Sequence, residues 1–177
     1  MSLFRKLFKN ISKSDRPRPD QSAAERGKYM PDIDTPADEL FTKNFILNGG
    51  KFLYCLTLEE VHESFDNILL ENDWYESNVL CHNENLIESF KGYNLEFGMS
   101  SHSNFFFTTC ESLVADNGSL LVCSNQLKEL KLPDIPASVV VYATTSQIVN
   151  TIGEGLRLIK NRNAGNIPTN ITTIKNF

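Results

Sequence analysis

The chain alternates short apolar runs with amphipathic segments, and no other feature limits its fold as strongly. Residues 51–55 and 78–81 have the composition of strands, and each run is followed by a helical pattern. The first helical pattern opens with Thr57 and Glu60 at capping-box spacing, so that their side chains can bond the free N–H groups of a helix start. Strand, helix, strand and helix at this spacing predict βαβ units and a mostly parallel sheet.

The second half of the chain adds a different pattern. Residues 105–110 are strand-like, and the bend at residues 116–118 carries the Asn-Gly pair that favours a tight β-hairpin. The β-branched run at residues 137–143 is typical of a strand buried on both faces, a helix is expected from about Gln147, and residues 171–174 form one more strand. The prediction is an α/β fold with a mostly parallel open sheet, flanking helices and a central β-hairpin.

The first 36 residues differ from the rest. Apolar residues recur on one face of a helix at Leu3, Phe4, Leu7, Phe8 and Ile11, with basic residues around them, and a polar, proline-containing stretch follows. We therefore expect one domain over residues 37–177, preceded by an N-terminal arm over residues 1–36. Residues 1–13 have two interpretations: a helix that docks weakly on an anionic membrane surface or a partner, or a tail that stays free or caps its own domain.

The distribution of charge bears on the class of partner. The 177 residues carry a net charge of −5, but residues 1–20 hold six basic and two acidic side chains, so the first 20 residues carry +4 and the remainder carries −9. Nucleic-acid binding needs clustered Lys and Arg, which the acidic body lacks. We therefore expect no nucleic-acid partner.

The four cysteines indicate a reducing compartment. Cys55, Cys81, Cys110 and Cys123 are widely separated and form no C-x-x-C pair, so neither a metal site nor another bound cofactor is expected. No secretory leader or membrane span is evident from the apolar runs. Buried, reduced thiols and a cytoplasmic location are the resulting prediction.

Two polar loops at strand ends are candidates for ligand binding. The first loop carries a carboxylate, an amide and a hydroxyl around a glycine, and the second leads into the predicted helix at Gln147. The candidate residues are Asp116, Asn117, Gly118 and Ser119 in the first loop and Thr144, Thr145 and Ser146 in the second. We expect the two loops to share one pocket for a small anion. The structural alternatives are a plain hairpin turn and simple helix capping.

No set of residues suggests a complete catalytic machinery. The histidines, His62, His82 and His102, have no neighbour at metal-ligand spacing and are expected to be core or solvated residues. Two glycines flank Glu154 within a helical pattern, where each costs about 1 kcal/mol relative to alanine. Close helix packing is the favoured explanation, and a position of Glu154 near a ligand is the alternative.

Residues 112–156 resemble the LUD family of lactate-utilisation proteins. In that family an acidic residue precedes Thr-Gly-Thr or Thr-Gly-Ser and an apolar strand; here Asp116 takes the acidic position, Asn117 replaces the threonine, and Gly118 and Ser119 match. A Leu-Pro pair, an apolar strand and a polar helix start follow in the family order. The resemblance extends in element order over residues 38–177.

The resemblance implies a sugar-phosphate isomerase/CoA-transferase-like fold and a function in lactate or organic-acid utilisation. It implies an accessory or binding protein that works beside iron–sulfur redox subunits. A stand-alone enzyme or binding protein for a phosphorylated or CoA-linked small molecule is one alternative, and a membrane-surface adaptor that uses the N-terminal helix is the other. The family usually has a Gly-Pro-Ser-x-Thr-x-Asp-Ile segment after the last strands, where this chain reads from Ile171 to Phe177 without it. A diverged branch and a shortened chain are both open explanations.

Overall fold

The computed structural model describes residues 35–98, 102–163 and 165–177. The predicted amphipathic helix at residues 1–13 and most of the predicted N-terminal arm lie outside these ranges. The helices in the described ranges are α1 (Ala37–Leu47), α2 (Leu58–Asn72), α3 (Glu84–Phe90), α4 (Ser124–Leu127) and α5 (Ile152–Arg162). The strands are β1 (Asn78–Leu80), β2 (Glu96–Gly98), β3 (Phe105–Thr108), β4 (Ser112–Val114), β5 (Ser119–Val122), β6 (Val139–Val141), β7 (Ile148–Val149) and β8 (Thr172–Ile174).

The first sheet is parallel throughout and has the strand order β2-β1-β3-β6. Its central strand β3 is apolar at three consecutive positions because the sheet is covered on both faces. Phe106 packs in one core cluster with Leu80, whereas Phe105 and Phe107 pack in another with Val79. Successive side chains of a strand point to opposite faces, so β3 contributes to both cores.

The second sheet is mixed, with the order β7-β4-β5-β8. Strands β4 and β5 form the predicted hairpin, with Val114 opposite Ser119. Strand β7 runs parallel to β4, and β8 runs antiparallel to β5. The α/β class, the parallel sheet and the β-hairpin are confirmed, and the hairpin lies in the second sheet.

Helix α2 begins where its capping box predicts. The Thr57 hydroxyl accepts a hydrogen bond from the Glu60 N–H at 3.2 Å. The Glu60 carboxylate reaches back to the N–H of Leu56, one residue earlier than the usual partner, at 2.7 Å. The buried side chains of the helix are Phe65 and Leu69, and the helix ends at Asp73 in a left-handed conformation.

Several local predictions were wrong. Residues 51–55 form no regular element, and the strand predicted at residues 137–143 is limited to Val139–Val141 and half-buried. The following helix begins at Ile152, capped by Thr151, and not near Gln147. A 3-10 turn at Thr145–Gln147 and strand β7 occupy the intervening residues.

Other elements were missed altogether. Helix α1 and strands β2 and β7 have sequences too short or too weakly patterned to distinguish from loops, and tertiary contacts create them. None of the helices within the described ranges is long and apolar enough to cross a membrane.

Gly155 allows α5 to approach the second sheet closely. A Cβ at Gly155 would lie 2.7 Å from Cδ2 of Leu121, a side chain that is only 1% exposed and has little room to move. A Cβ at Gly153 would meet only the Thr151 hydroxyl at 3.7 Å. Close packing therefore accounts for one glycine of the pair and not for the other.

Alanine substitution should separate these two glycines. Gly153→Ala should raise the free energy of unfolding by up to about 1 kcal/mol, because alanine favours the helix. Gly155→Ala should lower it by about 1–3 kcal/mol, because the new methyl group overpacks the interface. Chemical denaturation of both variants measures the difference, and equal effects would contradict the close approach at Gly155.

Candidate functional site

The strand order of the parallel sheet opens a crevice at one edge. From β1 the chain passes to β2 on one side, and from β3 it continues towards β6 on the other, so the connections that leave the carboxyl ends of these two neighbouring strands run in opposite directions. In open α/β sheets this switch point is where ligands bind. The residues that follow β1 and those that end β3 line a cavity of about 340 Å³ there.

Polar side chains line this cavity, hereafter the switch-point crevice. The lining residues are His82, Asn83, Glu84, Asn85, Thr108, Thr109, Asn125, Gln126 and Lys128. The first four follow β1, the threonines come from the end of β3, and the last three belong to α4 and the residue after it. Three separate parts of the chain thus converge on one small, hydrogen-bonding space.

His82 has unused hydrogen-bonding capacity. Both ring nitrogens are buried, and neither has a hydrogen-bond partner among the described residues. Desolvation, followed by the positive charge of Lys128, lowers the pKa of His82, so the ring is neutral at pH 7. A neutral imidazole offers one donor and one acceptor. Buried polar groups without partners are rare in proteins, so His82 is a candidate for contact with a ligand.

Lys128 is the only lysine among the crevice residues, which include no arginine. Its backbone conformation is also strained. Its φ of 54° and ψ of −121° lie in a region that non-glycine residues seldom adopt. Its N–H donates to the carbonyl of Ser124 at 2.9 Å, so the residue is held at the end of α4. Such conformations cost about 1–3 kcal/mol and concentrate at functional sites.

Comparisons with known proteins agree with this fold. The LUD domain family model matches residues 99–176, from just before β3 to the end of β8. Residues 99–176 are thus identified as a LUD domain. A crystal structure of a DUF162 family protein from Deinococcus radiodurans superposes with a TM-score of 0.62 at 13% sequence identity, over 82% of this chain and 90% of that one. No curated protein matches the chain.

The first predicted loop, residues 116–119, forms a hairpin turn that hydrogen bonds hold in place. Asn117 accepts hydrogen bonds from the N–H of Ser119 at 3.0 Å and from its hydroxyl at 2.7 Å. The side-chain amides of Asn44 and Asn48, at the end of α1, donate to the carbonyls of Ala115 and Asn117, both at 2.8 Å. These bonds engage the Asn117 side-chain oxygen, the Ser119 hydroxyl and two carbonyls of the turn, while the Asp116 carboxylate is exposed.

The second predicted loop forms an exposed turn. Thr144, Thr145 and Ser146 are exposed, and the hydroxyls of Thr144 and Ser146 bond each other at 2.8 Å. The Gln147 side chain accepts from the N–H of Thr144 at 2.8 Å. Thr145 lines a separate cleft of about 630 Å³ whose apolar wall includes Phe52, Tyr54 and Ile148.

The two-residue strand β7 separates the two loops. Asp116 donates its N–H to the carbonyl of Asn150, which follows β7, whereas Thr145 lies before the first residue of β7. The loops therefore lie at opposite ends of that strand, and neither lines the switch-point crevice. Ligand binding at either loop stays a prediction.

Sequence reasoning missed the residues of the crevice. His82 was interpreted as a core or solvated residue, and Thr108, Gln126 and Lys128 were not considered. The sequence did contain one indication of a site: these residues end or directly follow strand-like runs. That signal becomes specific only when the order of the strands is known, and one sequence does not give the order.

The buried thiols are not poised as nucleophiles. Burial raises the pKa of Cys110 to about 12, and burial together with the nearby Glu111 carboxylate raises that of Cys123 to about 11. Both are therefore thiols at neutral pH. Within the described ranges, no group of three or more His, Cys, Asp or Glu residues is arranged to hold a metal ion.

Gly118 gives a direct test of the turn. Its φ is +65°, and a Cβ there would lie 2.3 Å from the backbone carbon of Asn44. Gly118→Ala should therefore lower the free energy of unfolding by at least about 2 kcal/mol. Gly92→Ala, where a Cβ meets nothing within 4 Å, is the matched control and should change it little. Equal unfolding free energies in the two variants would argue against a structural turn.

Proposed function

We propose that this protein is a binding protein of lactate or organic-acid utilisation that holds a small organic anion in the switch-point crevice. The LUD domain at residues 99–176 supports the metabolic context. The ring of His82 supports the location, because its two buried nitrogens have no hydrogen-bond partner among the described residues, and this costs free energy unless the ring turns towards a ligand.

Lys128 supplies the one positive charge that can receive a carboxylate, and Glu84 adds a carboxylate of its own to the same lining, so a ligand with one negative charge fits better than one with several. His82 is neutral. The hydroxyls of Thr108 and Thr109 and the nearby amides add neutral donors and acceptors. A carboxylate beside Lys128, with a hydroxyl or carbonyl oxygen near His82, matches this set. Phosphate groups are more often held by arginines or several backbone N–H groups, so the phosphorylated or CoA-linked alternative fits less well.

The proposal extends to partners. A binding protein without its own redox centre would act beside iron–sulfur redox subunits, in the cytoplasm. Purification of the full chain under native, oxygen-free conditions, followed by identification of co-purifying proteins, tests this part separately. Absence of an iron–sulfur protein from the purified material would contradict the partner proposal and leave the ligand proposal standing.

Calorimetric titration of the full chain with sodium L-lactate tests the ligand proposal. Wild-type protein should bind saturably, and Lys128→Gln should bind at least about tenfold more weakly, since a charge-assisted hydrogen bond is worth about 1.5–3 kcal/mol. Lys160→Gln, in an exposed part of α5, removes the same charge outside the crevice and should bind like wild type.

Inorganic phosphate and glucose 6-phosphate serve as the comparison ligands. Binding of either in preference to L-lactate would support the phosphorylated-ligand alternative. No binding of any of the three, or equal loss of affinity in the two lysine variants, would contradict an anion site at the switch-point crevice.

A further inference from the structure

Glu111 lies behind the wall that α4 forms in the switch-point crevice. It sits in the connection from β3 to β4 and is only 8% exposed. Its side chain forms no ion pair with any residue in the described part of the chain. A buried carboxylate without a cationic partner costs free energy, so its surroundings must compensate for that cost.

One carboxylate oxygen of Glu111 takes part in three hydrogen bonds. Oε1 accepts from the Asn125 amide at 3.0 Å, from the Gln126 amide at 3.0 Å and from the Cys123 thiol at 3.2 Å. Burial would raise the pKa of Glu111, but the bonds from Gln126, Asn125 and Cys123, together with the charge of Arg162, lower it below the ordinary value. The side chain is therefore ionised at neutral pH and accepts three charge-assisted bonds.

Two of these donors belong to residues that line the crevice. The other end of the Gln126 amide accepts from the Cys123 N–H at 3.0 Å, which fixes the orientation of this side chain at both ends. Helix α4 has only four residues, and so short a helix does not persist on its own. Its position depends on tertiary contacts such as these.

Lys128 follows α4 directly and depends on the placement of that helix. Its N–H bonds to Ser124, the first residue of α4, and its strained backbone persists only where neighbouring structure holds it. A shift of Asn125 and Gln126 away from Glu111 would therefore also move the ammonium group of Lys128.

We propose that Glu111 is a positioning residue for ligand binding: its carboxylate holds the Asn125 and Gln126 amides, and through α4 also Lys128, in the geometry that receives the anion. This inference rests on the proposed function, since it concerns binding in the same crevice. Glu111 does not line the crevice and acts only through the three residues that it holds in place.

Two substitutions separate the hydrogen bonds from the bulk of the side chain. Glu111→Gln keeps the shape and one acceptor oxygen, whereas Glu111→Leu keeps approximate bulk without an acceptor. Glu154→Gln is the control, because Glu154 also accepts a backbone N–H, from Asn150 at 2.8 Å, but lies outside the crevice. Calorimetry with L-lactate and ¹⁵N NMR of the Asn125 and Gln126 side-chain amides are measured on each full-length protein.

Affinity for L-lactate should fall in a graded order. Glu111→Gln should bind about threefold more weakly than wild type and Glu111→Leu at least about tenfold, because charged acceptors bond about twice as strongly as neutral ones. The amide signals of Asn125 and Gln126 should shift in both variants before ligand is added. The control should match wild type in both measurements.

The two proposals fail in different ways. If wild-type protein does not bind L-lactate, the proposed function is contradicted, and the inference about Glu111 falls with it. If wild type binds and both folded variants bind equally well, the positioning role is overturned and the proposed function stands. Should Glu111→Leu fail to fold, Glu111→Gln decides: wild-type affinity with unshifted amide signals overturns the inference.

Discussion

Burial of β3 on both faces is the constraint from which the rest of the molecule follows. Phe106 belongs to one core cluster, and Phe105 and Phe107 belong to another, so β3 requires covered neighbours on either side. Parallel pairing with β1 and β6 places these strands in one register and brings their carboxyl ends to one edge. The last residue of β3, Thr108, lies at the crevice for that reason.

Three unusual features meet around that edge. His82 has two buried ring nitrogens without partners, Lys128 has a strained backbone, and Glu111 is a buried carboxylate without an ion pair in the described part of the chain. The His82 nitrogens and the Lys128 backbone each lower stability, and Glu111 avoids the cost of a buried carboxylate through its three hydrogen bonds. Their concentration at a switch point is the pattern expected of a functional site, where stability is given up for binding.

The sequence was informative where the interactions are local. The Thr57 cap and the Asn-Gly hairpin depend on neighbouring residues, and both formed as predicted. The start of α5 was misplaced although its signal is local: Thr151 and Glu154 stand at capping-box spacing, and the Thr151 hydroxyl accepts from the Glu154 N–H at 3.3 Å. The crevice could not be predicted, since it depends on strand order, and strand order is set by contacts distant in sequence.

The central claim is that the switch-point crevice receives an anion that contacts His82. Imidazole-¹⁵N NMR of the full chain during titration with L-lactate tests it most directly. The account predicts saturable shifts of the His82 ring nitrogens, while those of His62, whose Nδ1 already bonds the Tyr93 hydroxyl at 3.0 Å, stay in place. Unchanged His82 signals at L-lactate concentrations that saturate the protein would contradict it.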